Sequence, residues 1–127
     1  MKKILNTEKA PSPVGPYNQA VVANGFLFAS GQIAIQPSSG ELITGDIESE
    51  THQVMKNVEA ILHKAGLTFK NVVKCSVFVK DMNLYGRINA VYAQYFDEAD
   101  APARELVEVA NLPKFVNVEI SVIALMN

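Results

Sequence analysis

Val72-Val73-Lys74-Cys75-Ser76-Val77-Phe78-Val79 is the stretch that decides the fold, because its residues alternate in character with a period of two. Successive side chains of a strand point to opposite faces of a sheet. Val73, Cys75, Val77 and Val79 fall on one side, and Lys74, Ser76, Phe78 and Lys80 fall on the other. The pattern therefore predicts a strand with one face in the core.

Helical patterns lie on both sides of this strand. Asp46 can cap a helix that runs to about Ala65, with acidic residues in its first turn and Gly66 as its stop. Asp81 can cap a second helix. Apolar residues recur at helical spacing in both segments, at Ile47, Val54, Val58, Ile61, Leu62 and Ala65 and at Leu84, Ile88, Val91, Tyr92 and Tyr95.

The remaining segments favour strands. Asn24-Gly25 between Ala20–Ala23 and Phe26–Ala29 is typical of a hairpin with a type I′ turn. Ile4 to Asn6 is a weaker candidate, and two further strands flank Asn111 to Lys114. The predicted order is β-β-β-α-β-α-β-β within a single domain, residues 1–127. Helices grouped as two blocks among strands favour an α+β fold with both helices on one face of the sheet.

Composition bounds the class of protein. The chain has 127 residues, 49% of them apolar and 19% charged, with a net charge of −2, as expected of one globular domain. The charge balance and the absence of a polybasic run argue against nucleic acid as a partner. One cysteine, no signal-like N-terminal segment and no apolar run of membrane length predict a cytoplasmic protein.

Two charges stand in segments that otherwise resemble buried strands. Arg104 opens one of the last two predicted strands, and Glu119 lies between β-branched residues in the other. A hairpin centred near Leu112-Pro113 would pair residue 106 with residue 119 and place both charges on one face of the sheet. A charge in an apolar wall needs a partner or a ligand. The pattern alone leaves a structural ion pair and a small polar site equally open.

The sheet face that carries these charges is mixed in character. Phe78, Leu106 and Ile123 are expected there beside the charged side chains. Two helices cannot cover both faces of a sheet, so this face meets either solvent or another subunit. Its half-apolar character favours a homo-oligomer with a site at or near the interface.

Several motifs in order along the chain carry a family resemblance. They are Gly15-Pro16-Tyr17 with Gln19, Ser30-Gly31-Gln32, Asn57-Val58, Val77 to Asp81, Asn89 with Tyr92, Pro102-Ala103-Arg104, Val107 to Ala110, Leu112-Pro113 and Val118-Glu119-Ile120. Together they span nearly the whole chain, which resembles the RidA/YjgF family of reactive-intermediate deaminases. The resemblance implies a chorismate-mutase-like α+β fold with a mixed sheet, assembled as a homotrimer with clefts between subunits. It also implies cofactor-free and metal-free hydrolysis of enamines and imines such as 2-aminoacrylate to 2-keto acids and ammonia.

By position, Arg104 resembles the arginine that grips the substrate carboxylate, and Glu119 resembles the acid beside the attacking water. Tyr17, Ser30 and Asn89 resemble residues that line the cleft. Taken without the resemblance, Tyr17 would be a packing anchor, and Ser30 and Asn89 would mark only a strand end and a helix residue. The chain departs from the common pattern at three positions, which bears on substrate preference: Glu105, Leu106 and Ser121.

Two other functions are compatible with the same residues, and three other side chains could be reactive. A non-catalytic binder or sensor of 2-keto acids would use the same arginine, and RNA cleavage is also associated with relatives. Cys75 is expected to be an inert buried thiol. His52 and His63, about 16 Å apart along one helix at 1.5 Å per residue, are expected to be solvated and unable to act as a pair.

Overall fold

A computed structural model describes all residues from Met1 to Asn127. Its six strands are β1 Lys3–Leu5, β2 Ala20–Ala23, β3 Phe26–Gln32, β4 Val72–Val79, β5 Ala103–Glu108 and β6 Val118–Leu125. Its two α-helices are α1 Ile47–Lys64 and α2 Tyr85–Tyr92. The strands form one mixed sheet in the order β1-β2-β3-β6-β4-β5, so the predicted element order and α+β class are confirmed.

Local signals explain the ends of several elements. Asp46 caps α1 by accepting a hydrogen bond from the Ser49 backbone N–H at 2.8 Å. Asn24 and Gly25 both adopt positive φ, 51° and 84°, as a type I′ turn requires. Asp81 caps a short 3₁₀ turn, Met82–Leu84, rather than α2 itself.

The core lies between the helices and one face of the sheet. Cys75, Val77 and Val79 of β4 are buried against α1 and α2, as predicted. Val73 was expected on the same face but is exposed. The β4–β6 pairing shifts between Val72 and Lys74, and this bulge gives the core position to Val72 instead.

The predicted hairpin of the last two strands is wrong. Strand β5 pairs parallel with β4, and β6 pairs antiparallel with the other edge of β4. Parallel neighbours need a crossover connection, which α2 supplies between β4 and β5. Strand β4 therefore separates β5 from β6, and residues 106 and 119 do not pair with each other.

The face assignment of β5 changes as a result. Leu106 pairs with Val77 and packs against the core, whereas Val107 pairs with Phe78 and is 43% exposed. Arg104 pairs with the core residue Cys75, so its side chain lies on the helix face. The prediction that Val107 packs on the helices and that Arg104 shares a face with Glu119 is wrong.

None of the helices is long and apolar enough to cross a lipid bilayer. No three His, Cys, Asp or Glu side chains come together in a way that could hold a metal ion.

Candidate functional site

The predicted site residues divide between two clefts. We call the first the Glu119 cleft, a space of about 460 Å³ lined by Tyr17, Ser30, Gly31, Gln32, Lys114 and Glu119, among others. We call the second the Arg104 cleft, a space of about 510 Å³ lined by Tyr85, Asn89, Tyr92, Pro102 and Arg104, among others. Within one chain the structure therefore groups Tyr17 and Ser30 with Glu119, and Asn89 with Arg104.

The two charged residues face opposite sides of the sheet. Glu119 of β6 pairs with Phe78 of β4, whereas Arg104 of β5 pairs with Cys75 of the same strand. Phe78 and Cys75 are three residues apart, so their side chains point to opposite faces. A structural ion pair between Arg104 and Glu119 within the chain is thereby excluded.

Glu119 lies beside a gap in the β3–β6 ladder. The pairing passes from Ala29–Val122 to Gln32–Ile120, so β3 contains one extra residue at Ser30-Gly31. A Cβ on Gly31 would stand 2.7 Å from the Glu119 Cδ, closer than two such atoms can approach. The glycine therefore leaves the space that the carboxyl group occupies.

Glu119 is half-buried and has no charged partner. Its carboxyl group forms no ion pair, since the chain contains only two, Lys74–Glu105 and Arg87–Glu48. Desolvation by burial raises the pKa of Glu119 above its ordinary value. A carboxyl group with a raised pKa and no partner in a cleft is suited to exchanging protons with a ligand or water.

Ser30 and Tyr17 form the neighbouring walls of the Glu119 cleft. The Ser30 hydroxyl donates to the Asn18 carbonyl at 2.6 Å, which fixes its hydrogen and leaves its oxygen lone pairs directed elsewhere. Tyr17 is 47% exposed, and its hydroxyl accepts only a long 3.4 Å hydrogen bond from the Val14 N–H. Tyr17 is therefore not a buried packing anchor.

Arg104 is held on α2 by two hydrogen bonds. Its Nη1 donates to Asn89 Oδ1 at 2.7 Å, and its Nη2 donates to the Tyr85 hydroxyl at 3.0 Å. The guanidinium carbon lies 4.9 Å from the centre of the Tyr92 ring and 5.8 Å from that of Tyr85, within the range of cation–π attraction. The group is oriented by neutral partners, so its charge stays available to a ligand.

Sequence reasoning missed the roles of Tyr85 and Gly31. Tyr85 precedes Asn89 by one helical turn, and Tyr92 follows it by three residues, so all three lie on one side of α2. That spacing was available in the sequence. Gly31 lies close to Glu119 because of the bulge in β3, and no local sequence pattern predicts that bulge.

The expectations for the other reactive side chains have mixed outcomes. Cys75 is fully buried, and desolvation raises the pKa of its thiol, in agreement with an inert role. His52 is not simply solvated, because its Nδ1 lies 2.8 Å from the Tyr95 hydroxyl and its ring packs on Tyr95. His63 is exposed on α1.

A groove outside both clefts gathers lysines that are far apart in sequence. It measures about 460 Å³ and lies along α1, lined by Lys9, Lys56, Glu59, His63 and Lys64, among others.

Comparison with known proteins agrees with the sequence motifs. The family model described as "Endoribonuclease L-PSP" matches residues 7–126. A RutC family protein of Synechocystis is 54% identical over 98% of this chain and 96% of its own length. The mouse protein named 2-iminobutanoate/2-iminopropanoate deaminase is 44% identical over 98% of this chain and 91% of its own length.

A solved structure shows the same architecture. Escherichia coli TdcF with bound serine superposes with a TM-score of 0.92 at 42% identity, covering 98% of this chain and 99% of TdcF. The fold and motifs define a small single-sheet α+β protein with paired clefts. The chain belongs to this L-PSP family, which includes the RutC and RidA/YjgF proteins, and the resemblance found in the sequence is confirmed.

Proposed function

We propose that this protein hydrolyses reactive enamines and imines of the 2-aminoacrylate type to 2-keto acids and ammonia. The observation that carries the proposal is a guanidinium, Arg104, held by neutral groups and lacking a carboxylate partner. A planar guanidinium pairs with a carboxylate through two parallel hydrogen bonds. The name of the mouse relative and the serine bound to TdcF support a small α-amino-acid-derived carboxylate as ligand.

We propose that the complete site forms between two copies of the chain within a homotrimer. Arg104 and Glu119 cannot meet within one chain because they occupy opposite faces of the sheet. The face that bears Glu119 also exposes Phe28 and Val107, at 45% and 43%. Apolar side chains on an open sheet face favour coverage by another subunit. A neighbouring copy could then present its Arg104 cleft to the Glu119 cleft.

The reaction divides into three steps. The enamine first gains a proton at its terminal carbon and loses one from nitrogen, which gives the 2-imino acid. Water then adds to the imine carbon, its oxygen forming the new bond while a proton passes to nitrogen. The resulting carbinolamine expels ammonia, and the carbon–oxygen bond becomes the carbonyl of the keto acid.

Each charged residue has one task in this scheme. Arg104 binds the carboxylate and so fixes the imine carbon relative to the Glu119 cleft. Glu119 accepts a proton from the attacking water and can return it to the departing nitrogen. Tyr17 and Ser30 shape the Glu119 cleft, and Asn89 orients Arg104. The protein thus acts in the cell by removing intermediates that pyridoxal-phosphate enzymes release, in the cytoplasm.

The deciding experiment couples a serine dehydratase, which generates 2-aminoacrylate, to the measurement of pyruvate release. We expect wild type to accelerate release. Glu119→Gln should lose about a hundredfold or more in rate, the scale of a lost general base, and Arg104→Ala should lose at least about tenfold through lost substrate positioning. Arg87→Ala is the matched control, because Arg87 is an exposed arginine paired with Glu48 at 2.6 Å outside both clefts. Unaccelerated release with the wild type would refute the deaminase proposal.

Two other functions remain as outcomes of the same study. Binding of 2-keto acids without turnover, abolished by Arg104→Ala, would establish a sensor. Cleavage of RNA is the activity in the family description, and the lysine-lined groove on α1 is where an anionic polymer could bind. RNA cleavage that survives Arg104→Ala but fails in a Lys56→Ala/Lys64→Ala variant would move the function to that groove.

A further inference from the structure

Buried polar side chains are few in this protein, and most of them support the Glu119 cleft. They are Gln19, Gln32, Glu50, Thr51 and Asn57. Gln32 lines the cleft itself. Gln19 binds the Ala10 and Pro11 carbonyls, and Asn57 binds the Ile33 and Ile35 carbonyls, at 2.8 to 3.1 Å. Pro11, Ile33 and Ile35 are all wall residues of that cleft.

Glu50 is the one carboxylate in this set, and it is fully buried. Its Oε2 accepts hydrogen bonds from the Asn117 N–H at 2.7 Å and the Val118 N–H at 3.2 Å. Its Oε1 accepts one from Asn117 Nδ2 at 2.8 Å. No cation pairs with it, so three N–H donors of two consecutive residues satisfy the group. The contact joins the first turn of α1 to the start of β6.

The hydrogen bonds from Asn117 and Val118 to Glu50, which we call the Glu50 clamp, lie between a strained turn and Glu119. Lys114 and Phe115 adopt φ of 54° and 56°, a left-handed conformation that side chains other than glycine disfavour. Such a turn persists only where neighbouring contacts hold it. Glu50 binds residues 117 and 118, and Glu119 is the next residue along the chain. The direction of the Glu119 side chain into its cleft therefore depends on how this segment is fixed.

We propose that Glu50 is a positioning residue for Glu119: by clamping residues 117 and 118 from the helix face, it holds the Glu119 carboxyl group on the opposite face in its reactive position. This inference rests on the proposed deaminase function. Its predicted signature is a loss in kcat without a change in KM, because Arg104, which would bind the substrate, lies on a different strand that Glu50 does not touch.

Three variants test the role of the clamp. Glu50→Gln keeps one oxygen for both backbone donors, and rotation of the Asn117 amide can satisfy the new NH₂ group, so kcat should stay within about threefold of wild type. Glu50→Leu removes all three acceptor contacts, and kcat should fall about tenfold or more at unchanged KM. Thr51→Val is the matched control, because this buried hydroxyl bonds only to Ile47 of its own helix, at 2.7 Å.

A second measurement does not depend on turnover. The pKa of Glu119, followed by carbon NMR, should fall toward its ordinary value in Glu50→Leu, because a loosened strand start admits water to the carboxyl group. It should not move in Thr51→Val. If wild type proves inactive, the proposed function fails, while this titration still tests the clamp.

A milder variant keeps the test possible if the Glu50→Leu protein does not fold. Asn117→Ala removes one of the three hydrogen bonds, and we expect a smaller fall in kcat and a smaller pKa shift in the same directions. The proposal is overturned if Glu50→Leu or Asn117→Ala lowers the unfolding temperature while kcat and the Glu119 pKa stay at wild-type values. It is equally overturned if Glu50→Gln loses as much activity as Glu50→Leu.

Discussion

Arg104 and Glu119 point to opposite faces of the same sheet, because their partners on β4, Cys75 and Phe78, are three residues apart. Neither side chain has an ion-pair partner in the chain. Arg104 is oriented by Asn89 and Tyr85, while Glu119 occupies space left by Gly31. Two unpaired charges that cannot meet within one chain are the ground for the proposal that the complete site combines Arg104 of one copy with Glu119 of another.

Subunit complementation is the first prediction, because it follows directly from that arrangement. Arg104→Ala and Glu119→Gln should each be nearly inactive alone. When the two are unfolded, mixed in equal amounts and refolded, about a quarter of the interfaces should pair an intact Arg104 with an intact Glu119. Pyruvate release should recover to about that fraction of wild type. A mixture no more active than its components would contradict a shared site.

Asn89→Asp is the second prediction, because it places a carboxylate where the amide now accepts from Arg104 at 2.7 Å. The new ion pair would occupy the guanidinium and compete with the substrate carboxylate. We expect KM to rise about tenfold or more, and by more than in Asn89→Ala, which removes the hydrogen bond without adding charge. Steady-state kinetics on both variants make the comparison. A larger effect of the alanine variant would show that Asn89 acts by packing.

The elements of this fold could be predicted from local signals, whereas the order of its strands could not. Asp46 and the Asn24-Gly25 turn act on their immediate neighbours, so the α1 start and the hairpin were found. The partner of β5 depends on a crossover by α2, and the sequence alone equally permits a hairpin across Leu112-Pro113. Because β5 pairs with β4 and not with β6, Arg104 lies on the helix face of the sheet and not on the face that the sequence predicted.

The same limit applies to the site. The resemblance predicts Arg104, Glu119, Tyr17, Ser30 and Asn89 as site residues, and in the structure they line two clefts. Their grouping depends on strand order and on the β3 bulge, which are non-local properties. The burial of Glu50 could not be predicted either, since an acid in the first turn of a helix is expected to interact with the helix dipole at the surface.

Gly31→Ala is the third prediction. An added Cβ would stand 2.7 Å from the Glu119 Cδ, so the carboxyl group must move out of its position. Overpacking costs about 1–3 kcal/mol when the neighbour cannot yield, and here a flexible side chain can yield, so activity should suffer more than stability. We expect kcat to fall about tenfold with a small change in unfolding temperature.

The control for that variant is Gly45→Ala, because a Cβ at residue 45 would have no neighbouring atom within 4 Å. It should keep wild-type kinetics. Equal kinetics for Gly31→Ala and wild type would show that the position of Glu119 is not critical.

Thiol reactivity is the fourth prediction. Cys75 is fully buried, and desolvation raises the pKa of its thiol, so the nucleophilic thiolate is scarce and inaccessible. The native protein should not react with a thiol-specific dye over hours, and one equivalent should react in denaturant. Pyruvate release should be unchanged after exposure of the native protein to an alkylating reagent. Rapid labelling with parallel loss of activity would instead assign the thiol a role.

The fifth prediction concerns the titration of Glu119, which should appear first in activity and then in stability. Desolvation raises the pKa of Glu119, so a base role requires pH values above this raised pKa. Activity should rise with pH through the pKa of Glu119 in the assembled site, which burial raises and the guanidinium of a second copy lowers. Glu119→Asp should keep an acid limb, and Glu119→Gln should remove it. An unchanged limb in Glu119→Gln would assign it to another group.

The contribution of Glu119 to the free energy of unfolding should also depend on pH. It should fall as pH rises, whereas the contribution of a carboxylate in an ion pair rises with pH. A folded-state pKa raised above the unfolded value means that the folded protein binds the proton more tightly, so this contribution to stability is lost as pH rises through the raised pKa. In an Arg104→Ala background, where no guanidinium from any subunit offsets the cost, Glu119→Gln should raise the unfolding temperature at pH 7. The gain should vanish at acid pH, where Glu119 is neutral. Glu105→Gln is the control, since Glu105 is exposed and paired with Lys74 at 2.9 Å, and a surface pair of this kind contributes little. A gain that persists at acid pH would show that the carboxylate charge is not what destabilises the cleft.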